Sequence, residues 1–189
     1  QDFNGDGQKE NQAGETYFVS PAFTIGSTSA VHMAINMAIN YERGDLNANN
    51  SILISKDYTG NVNSATWTQL TYDTDGLNAD FTFKNKEINI PSEFIGSNVV
   101  VALRHTCTDT QSSTWEVKSI KVLSGNAEEP GTDPEPTPGG EGDALIAIDG
   151  ATVSLTAPEA TASGNVTTTD LNSFGWENAG DPLGATDSE

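Results

Sequence analysis

The pattern of apolar and polar positions is most regular at Ala30 to Asn40, AVHMAINMAIN. Val31, Met33, Ile35, Met37 and Ile39 occupy the odd positions, and Ala, His or Asn the even ones. Ala and Met are compatible with a helix, but a period of two predicts a long strand with one buried face. Shorter runs of the same kind recur. Tyr17 to Val19 leads into Ser20-Pro21 and Ala22 to Ile25, and strands are expected at Ser51–Ser55, Thr66–Tyr72, Phe81–Phe83, Ile88–Ile90, Asn98–His105 and Thr114–Leu123. Pro91 ends one of them because proline cannot donate to a ladder. Thr59-Gly60-Asn61 and Asp73-Thr74-Asp75-Gly76 supply turns. Closely spaced strands with no helix between them predict an all-β fold, an antiparallel β-sandwich or jelly roll.

The pattern breaks at 124–143, SGNAEEPGTDPEPTPGGEGD, which holds four prolines, five glycines, six acids and no large apolar residue. Such a segment buries too little surface to offset its conformational entropy, and its prolines and like charges extend it. The chain therefore divides into a β body at 1–123, an acidic Pro/Gly-rich linker at 124–143 and a tail at 144–189. The tail has the same texture, with strands expected within Ala144–Thr156 and Val166–Leu171. It reads as the start of a second β-rich domain.

Charge sharpens this division. The net charge is −19, from 27 acids and 8 bases. The body holds 14 of the acids and all 8 bases, and the residues from Ser124 onward hold 13 acids and no base. This sign argues against nucleic acid and against an anionic membrane surface. The longest apolar run, Val99 to Leu103, is far too short for a transmembrane segment. The lone Cys107 excludes an internal disulfide framework, and a Thr-, Ser-, Asn- and Gly-rich composition fits a bacterial extracellular surface. With no initiator Met and no signal peptide, the chain reads as a processed form or a piece of a longer protein.

Four stretches carry a resemblance: ETYFVSPAFTI (15–25), ILISKDYTGNVNSATWTQL (52–70), FTFKNKEINIPSEFIGSNVVVALRH (81–105) and STWEVKSIKV (113–122). In this order they resemble the choice-of-anchor J domain of secreted and surface proteins from Bacteroidetes-type bacteria, over roughly Glu15 to Val122. The resemblance implies a jelly-roll module similar to MAM and cleaved-adhesin domains, with a non-catalytic binding or spacer role. Members carry a further strand or two ahead of the Ser-Pro motif. The resemblance thus also implies that the body lacks N-terminal strands, and that an exposed edge can engage in strand exchange with another chain.

Candidate chemistry is sparse. Asp2, Asn4 and Asp6 with Gly7 reproduce D-x-N-x-D-G, the first half of a calcium loop, in which alternating oxygens converge on a hard cation. The twelfth position from Asp2 is Ala13, where a bidentate carboxylate is needed; Glu10 and Glu15 are the substitutes at hand. Calcium is the one cofactor the sequence suggests. His105 and Cys107 lie two apart on a predicted strand, a pairing better read as core packing than as a nucleophile with its base. Flat aromatic rings stack on sugar faces. Trp67 and Trp115 fall within strands and read as core, whereas Tyr41, Tyr58, Tyr72 and Trp176 lie nearer turns and are the candidate ligand-binding residues. The expectation is a non-catalytic extracellular binding or spacer module on the outer surface of a Gram-negative bacterium, with a glycan or a surface protein as partner. The alternative is an accessory region of a secreted hydrolase whose catalytic domain lies outside this chain.

Overall fold

The computed structural model describes residues 13–27 and 30–127, together with the backbone of four strands at 147–148, 152–156, 159–163 and 177–178. The body contributes β1 (Gly14–Val19), β2 (Phe23–Thr24), β3 (Val31–Asn40), β4 (Asn50–Ser55), β5 (Thr68–Leu70), β6 (Lys84–Asn89), β7 (Asn98–Cys107) and β8 (Thr114–Ser124). A single helical turn, α1 (Leu46–Asn49), precedes β4. The tail adds β9 (Ala147–Ile148), β10 (Thr152–Thr156), β11 (Glu159–Ser163) and β12 (Glu177–Asn178). The fold is all-β, and among the described residues every strand pairing is antiparallel.

Two sheets form. The first runs β12-β1-β7-β4-β5, with β2 also on β7; the second runs β11-β10-β8-β3-β6, with β9 also on β8. The alternation read from β3 is the alternation observed: Val31, Met33, Ile35, Met37 and Ile39 are all buried. They meet Trp115, Val117, Ile120 and Val122 of β8 and Phe18, Ile52, Ile54, Val101 and Leu103 of the first sheet in one apolar cluster. Both sheets thus bury a face in the same core. Trp115, its largest member, is fully buried and points its indole N–H at Met37 Sδ, 3.2 Å away.

β8 solves a parity problem. Trp115 and Val117 are odd-numbered and Ile120 and Val122 even-numbered, yet all four face the core. Asn36 pairs with Ser119 and Met37 with Val117, so Lys118 is the extra residue of a β-bulge. The bulge lets the strand change parity without turning its apolar side chains outward. The displaced Lys118 Nζ lies 3.8 Å from the centre of the Phe83 ring.

The Ser-Pro motif repairs a break between β1 and β2, both of which pair with β7. β1 pairs as far as Val19↔Ala102, and β2 resumes at Phe23↔Val99. Between them Ser20 N donates to Val101 O at 2.8 Å, and Ser20 Oγ accepts from Val101 N at 2.9 Å. The side chain replaces a ladder acceptor just where Pro21 bends the chain away.

β7 is buried on both faces, which explains its unbroken apolar run. Val99, Val101 and Leu103 join the main core, while Val100 and Ala102 join Tyr17, Val19, Leu53 and Val62 in a second cluster. The loop after β4 covers this outer face. Asp57 Oδ1 holds the loop by accepting from Ser55 Oγ and Thr66 N, each at 2.7 Å. Trp67 packs there between Tyr17 and Tyr58, with ring centroids 6.1 and 5.7 Å away, and donates to Val62 O at 3.0 Å.

One expectation about the body changes. No strand forms at 81–83, because the chain still turns through Phe81, which has a positive φ; the strand expected at 88–90 begins earlier, as β6 from Lys84 to Asn89. The described strands of the tail pair with the sheets of the body: β10 pairs with β8 at Leu155↔Trp115 to Val153↔Val117, β9 pairs with β8 at Ile148↔Ile120, and β12 pairs with β1 at Asn178↔Phe18. The edges of β1 and β8 are thereby paired by the chain's own tail.

Candidate functional site

The β3–β6 ladder ends at Met37↔Lys84, and the chain beyond it forms two facing loops, one following Asn40 and one preceding Lys84. Every non-glycine residue with positive φ among the described residues lies in these loops: Tyr41 (65°), Asn78 (60°), Asp80 (48°) and Phe81 (56°). Asn and Asp tolerate this region, whereas an aromatic residue there costs about 1–2 kcal/mol of backbone strain. Such strain persists only where surrounding contacts impose it.

The contacts that impose it centre on Glu42, which is buried although it belongs to a surface loop. Asn78 Oδ1 accepts from Glu42 N at 3.0 Å, and Asn78 Nδ2 donates to Glu42 O at 2.8 Å. This side-chain amide imitates one rung of a ladder and ties the two loops together. Glu42 Oε1 accepts from Arg43 N (3.0 Å), Gly44 N (2.7 Å), Asn49 Nδ2 (2.9 Å) and Gln111 Nε2 (3.2 Å). Oε2 accepts from Asn50 Nδ2 at 3.3 Å. Burial pushes the Glu42 pKa up, but the hydrogen bonds from Asn49, Gly44, Ser113 and Arg43 outweigh it, and the carboxyl is held below its ordinary range. Glu42 is therefore a buried carboxylate anchored by neutral donors, and its oxygens are already engaged.

Behind Glu42 the network continues to β7. Asn50 Oδ1 lies 3.0 Å from His105 Nδ1 and accepts from Ser113 Oγ at 3.0 Å. Since Asn50 Nδ2 serves Glu42, its oxygen must face His105, and Nδ1 carries the imidazole proton. His105 is fully buried and its Nε2 has no hydrogen-bond partner among the described residues; burial pushes its pKa down to about 4. Cys107 is half-buried near the end of the same strand. His105 thus belongs to the Glu42 network and is held neutral.

The aromatics adjoin the network in sequence: Tyr41 precedes Glu42, and Phe81 follows Asn78 by three residues. Tyr41 is 61% exposed, the one large hydrophobic side chain so exposed among the described residues. Its ring meets Phe81 edge-to-face, with centroids 5.5 Å apart and planes at 78°. Exposed Asn78, Asp80 and Arg43 lie beside the pair in sequence.

The four aromatic candidates are placed differently. Tyr41 is at the surface. Tyr58 is half-buried against Trp67. Tyr72, expected near a turn and accessible, is only 3% exposed; its hydroxyl lies 3.0 and 2.9 Å from the carbonyls of Leu46 and Asn50, and it braces α1 against β4. Trp176 lies outside the described residues, as do Asp2, Asn4 and Asp6 of the calcium-loop motif. Among the described residues no three His, Cys, Asp or Glu side chains gather as metal ligands, and no helix is long and apolar enough to cross a membrane. Phe81, Asn78 and Glu42 were missed by sequence reading. For Asn78 and Phe81 the signal was Asn78 and Asp80, residue types that tolerate the left-handed region, placed just before an aromatic; Glu42 had no such signal.

No protein-family model matches the chain, and no curated protein matches it.

Proposed function

We propose that the chain is a non-catalytic extracellular binding module of a bacterial surface protein, and that it binds glycan through the loop end carrying Tyr41. The observation that carries this reading is a 61% exposed tyrosine held at φ 65° next in sequence to a buried, hydrogen-bonded carboxylate. An aromatic ring kept in solvent at a backbone cost, on rigid loops, is the arrangement that stacking on a sugar face requires. The neighbouring Asp80 and Arg43 side chains, both exposed, suit hydroxyl hydrogen bonding. The Thr- and Asn-rich composition and the ordered Ser-Pro, Asp-Tyr-Thr-Gly and Thr-Trp motifs support the extracellular, modular part of the reading.

The test is a glycan array probed with the full chain and with Tyr41→Ala. Saturable binding to one glycan class, lost in Tyr41→Ala while the melting temperature is kept, is expected. An array without signal, or binding that survives Tyr41→Ala, removes the reading.

A further inference from the structure

We infer that the Tyr41 site takes a single pyranose unit of a soluble glycan rather than a flat polymer surface, and that Asn78 is its positioning residue. This rests on the glycan reading above and adds ligand shape and a mechanism of pre-organisation. The first argument is the angle of 78° between the Tyr41 and Phe81 rings. A strip that binds crystalline polysaccharide must offer rings in one plane, because successive sugars of such a polymer present one plane. Here the rings form a corner. An edge-to-face contact occupies at most one face of Tyr41, so at least one face stays open to a sugar, with Phe81 as a perpendicular wall.

The second argument concerns what holds the corner. Tyr41 and Phe81 lie on separate loops and both adopt a backbone conformation that aromatic residues avoid. The direct tie between the loops is the pair of bonds from the Asn78 side chain to Glu42 N and O, at 3.0 and 2.8 Å. Glu42 follows Tyr41 immediately, and Asn78 stands three residues before Phe81. The carboxylate bonds of Glu42 fix one half of the tie, and the turns Leu77 N to Thr74 O (3.1 Å) and Thr82 N to Ala79 O (2.9 Å) fix the other. Without the Asn78 amide the strained loops can relax and only a fraction of molecules presents the corner. Apparent affinity then falls by that fraction. Asn78 touches no ligand in this scheme; it acts through the position of the rings.

The experiment uses the full chain and three probes: an array of soluble oligosaccharides, insoluble microcrystalline cellulose in a pull-down, and surface kinetics on the best array ligand. Binding to soluble oligosaccharides and none to cellulose is expected. Tyr41→Gly, which suits the positive φ, should abolish binding while leaving the melting temperature unchanged or higher. Asn78→Ala should weaken affinity about tenfold, the result of a competent population of about one tenth, through a slower association rate with an unchanged dissociation rate. Asn78→Asp, which keeps the acceptor for Glu42 N and loses the donor to Glu42 O, should fall between. Cellulose binding that depends on Tyr41 overturns the ligand shape and leaves the glycan reading standing. Unchanged association kinetics in Asn78→Ala overturn the positioning role. Silence on every probe overturns the glycan reading and this inference with it.

Discussion

His105 makes the stability of this protein depend on pH in a way that can be isolated. Its folded pKa is pushed from 6.5 down to about 4, first by burial, with the nearby Glu42 charge opposing. The cause is geometric as well: among the described residues the buried Nε2 has no hydrogen-bond partner, so a proton there would be buried unsatisfied. A folded pKa below the unfolded one means that the unfolded chain takes up the proton first. Stability is therefore complete above pH 6.5 and falls as pH drops from 6.5 towards about 4. The loss is about 2 kcal/mol by pH 5 and about 3 kcal/mol by pH 4, with a slope near 1.4 kcal/mol per pH unit. Two other effects act in this range. Glu42, also held below its ordinary value, adds a loss of the same sign nearer pH 4. Protonation of other acids relieves the self-repulsion of a −19 chain and acts in the opposite direction. Comparison with His105→Gln, which offers an amide to Asn50 and does not titrate, removes both. Urea unfolding followed by tryptophan fluorescence at pH 7, 6 and 5 should show the wild type losing about 2 kcal/mol more than the variant. Should the variant fail to fold, an NMR titration of the wild-type imidazole gives the same information, with His105 staying neutral down to the acid transition. Equal pH slopes in the two proteins, or a His105 that titrates near 6.5 in the folded state, would refute the reasoning.

Two further predictions concern the strands that build the frame. Ser20→Ala leaves the buried Val101 N–H without its acceptor and should cost about 1–3 kcal/mol in urea unfolding, although no apolar contact is lost. Deleting Lys118 removes the extra residue of the bulge and puts Trp115, Val117 and the residues now numbered 120 and 122 on one parity, so that variant should fold with a cooperative melt close to wild type. Deleting Glu116 instead makes Trp115 and Val117 neighbours that cannot both face the core, and it should cost at least the roughly 3–5 kcal/mol of a lost buried aromatic. A calorimetric comparison in which the two deletions behave alike would show that the bulge does not set the register.

The strands of the body were legible because burial on one face leaves a period of two in the sequence, as in Val31 to Ile39. Even the bulge left a trace in the parity change between Val117 and Ile120, although only the pairing with β3 shows that Lys118 absorbs it. The tail strands were not assignable to the body, because which edge a short strand joins is decided by partners far away in sequence. The same distinction governs the site. Tyr41 and Tyr72 both sit beside turn residues, and nothing local separates them. Tyr72 is drawn inside because two carbonyls, of Leu46 and Asn50, wait for its hydroxyl, while Tyr41 is turned out by a backbone that Asn78 and Glu42 hold. Charge behaves likewise. In a chain of 27 acids, Glu42 has nothing in its sequence surroundings to mark it, yet it alone of the described acids is buried. The donors that make this tolerable come from Asn49, Asn50 and Gln111, brought to it by α1, by β4 and by the loop between β7 and β8. A buried carboxylate with so many neutral donors is a rigid node, and rigidity at that point is what allows two aromatic residues to keep a backbone conformation that neither would adopt alone.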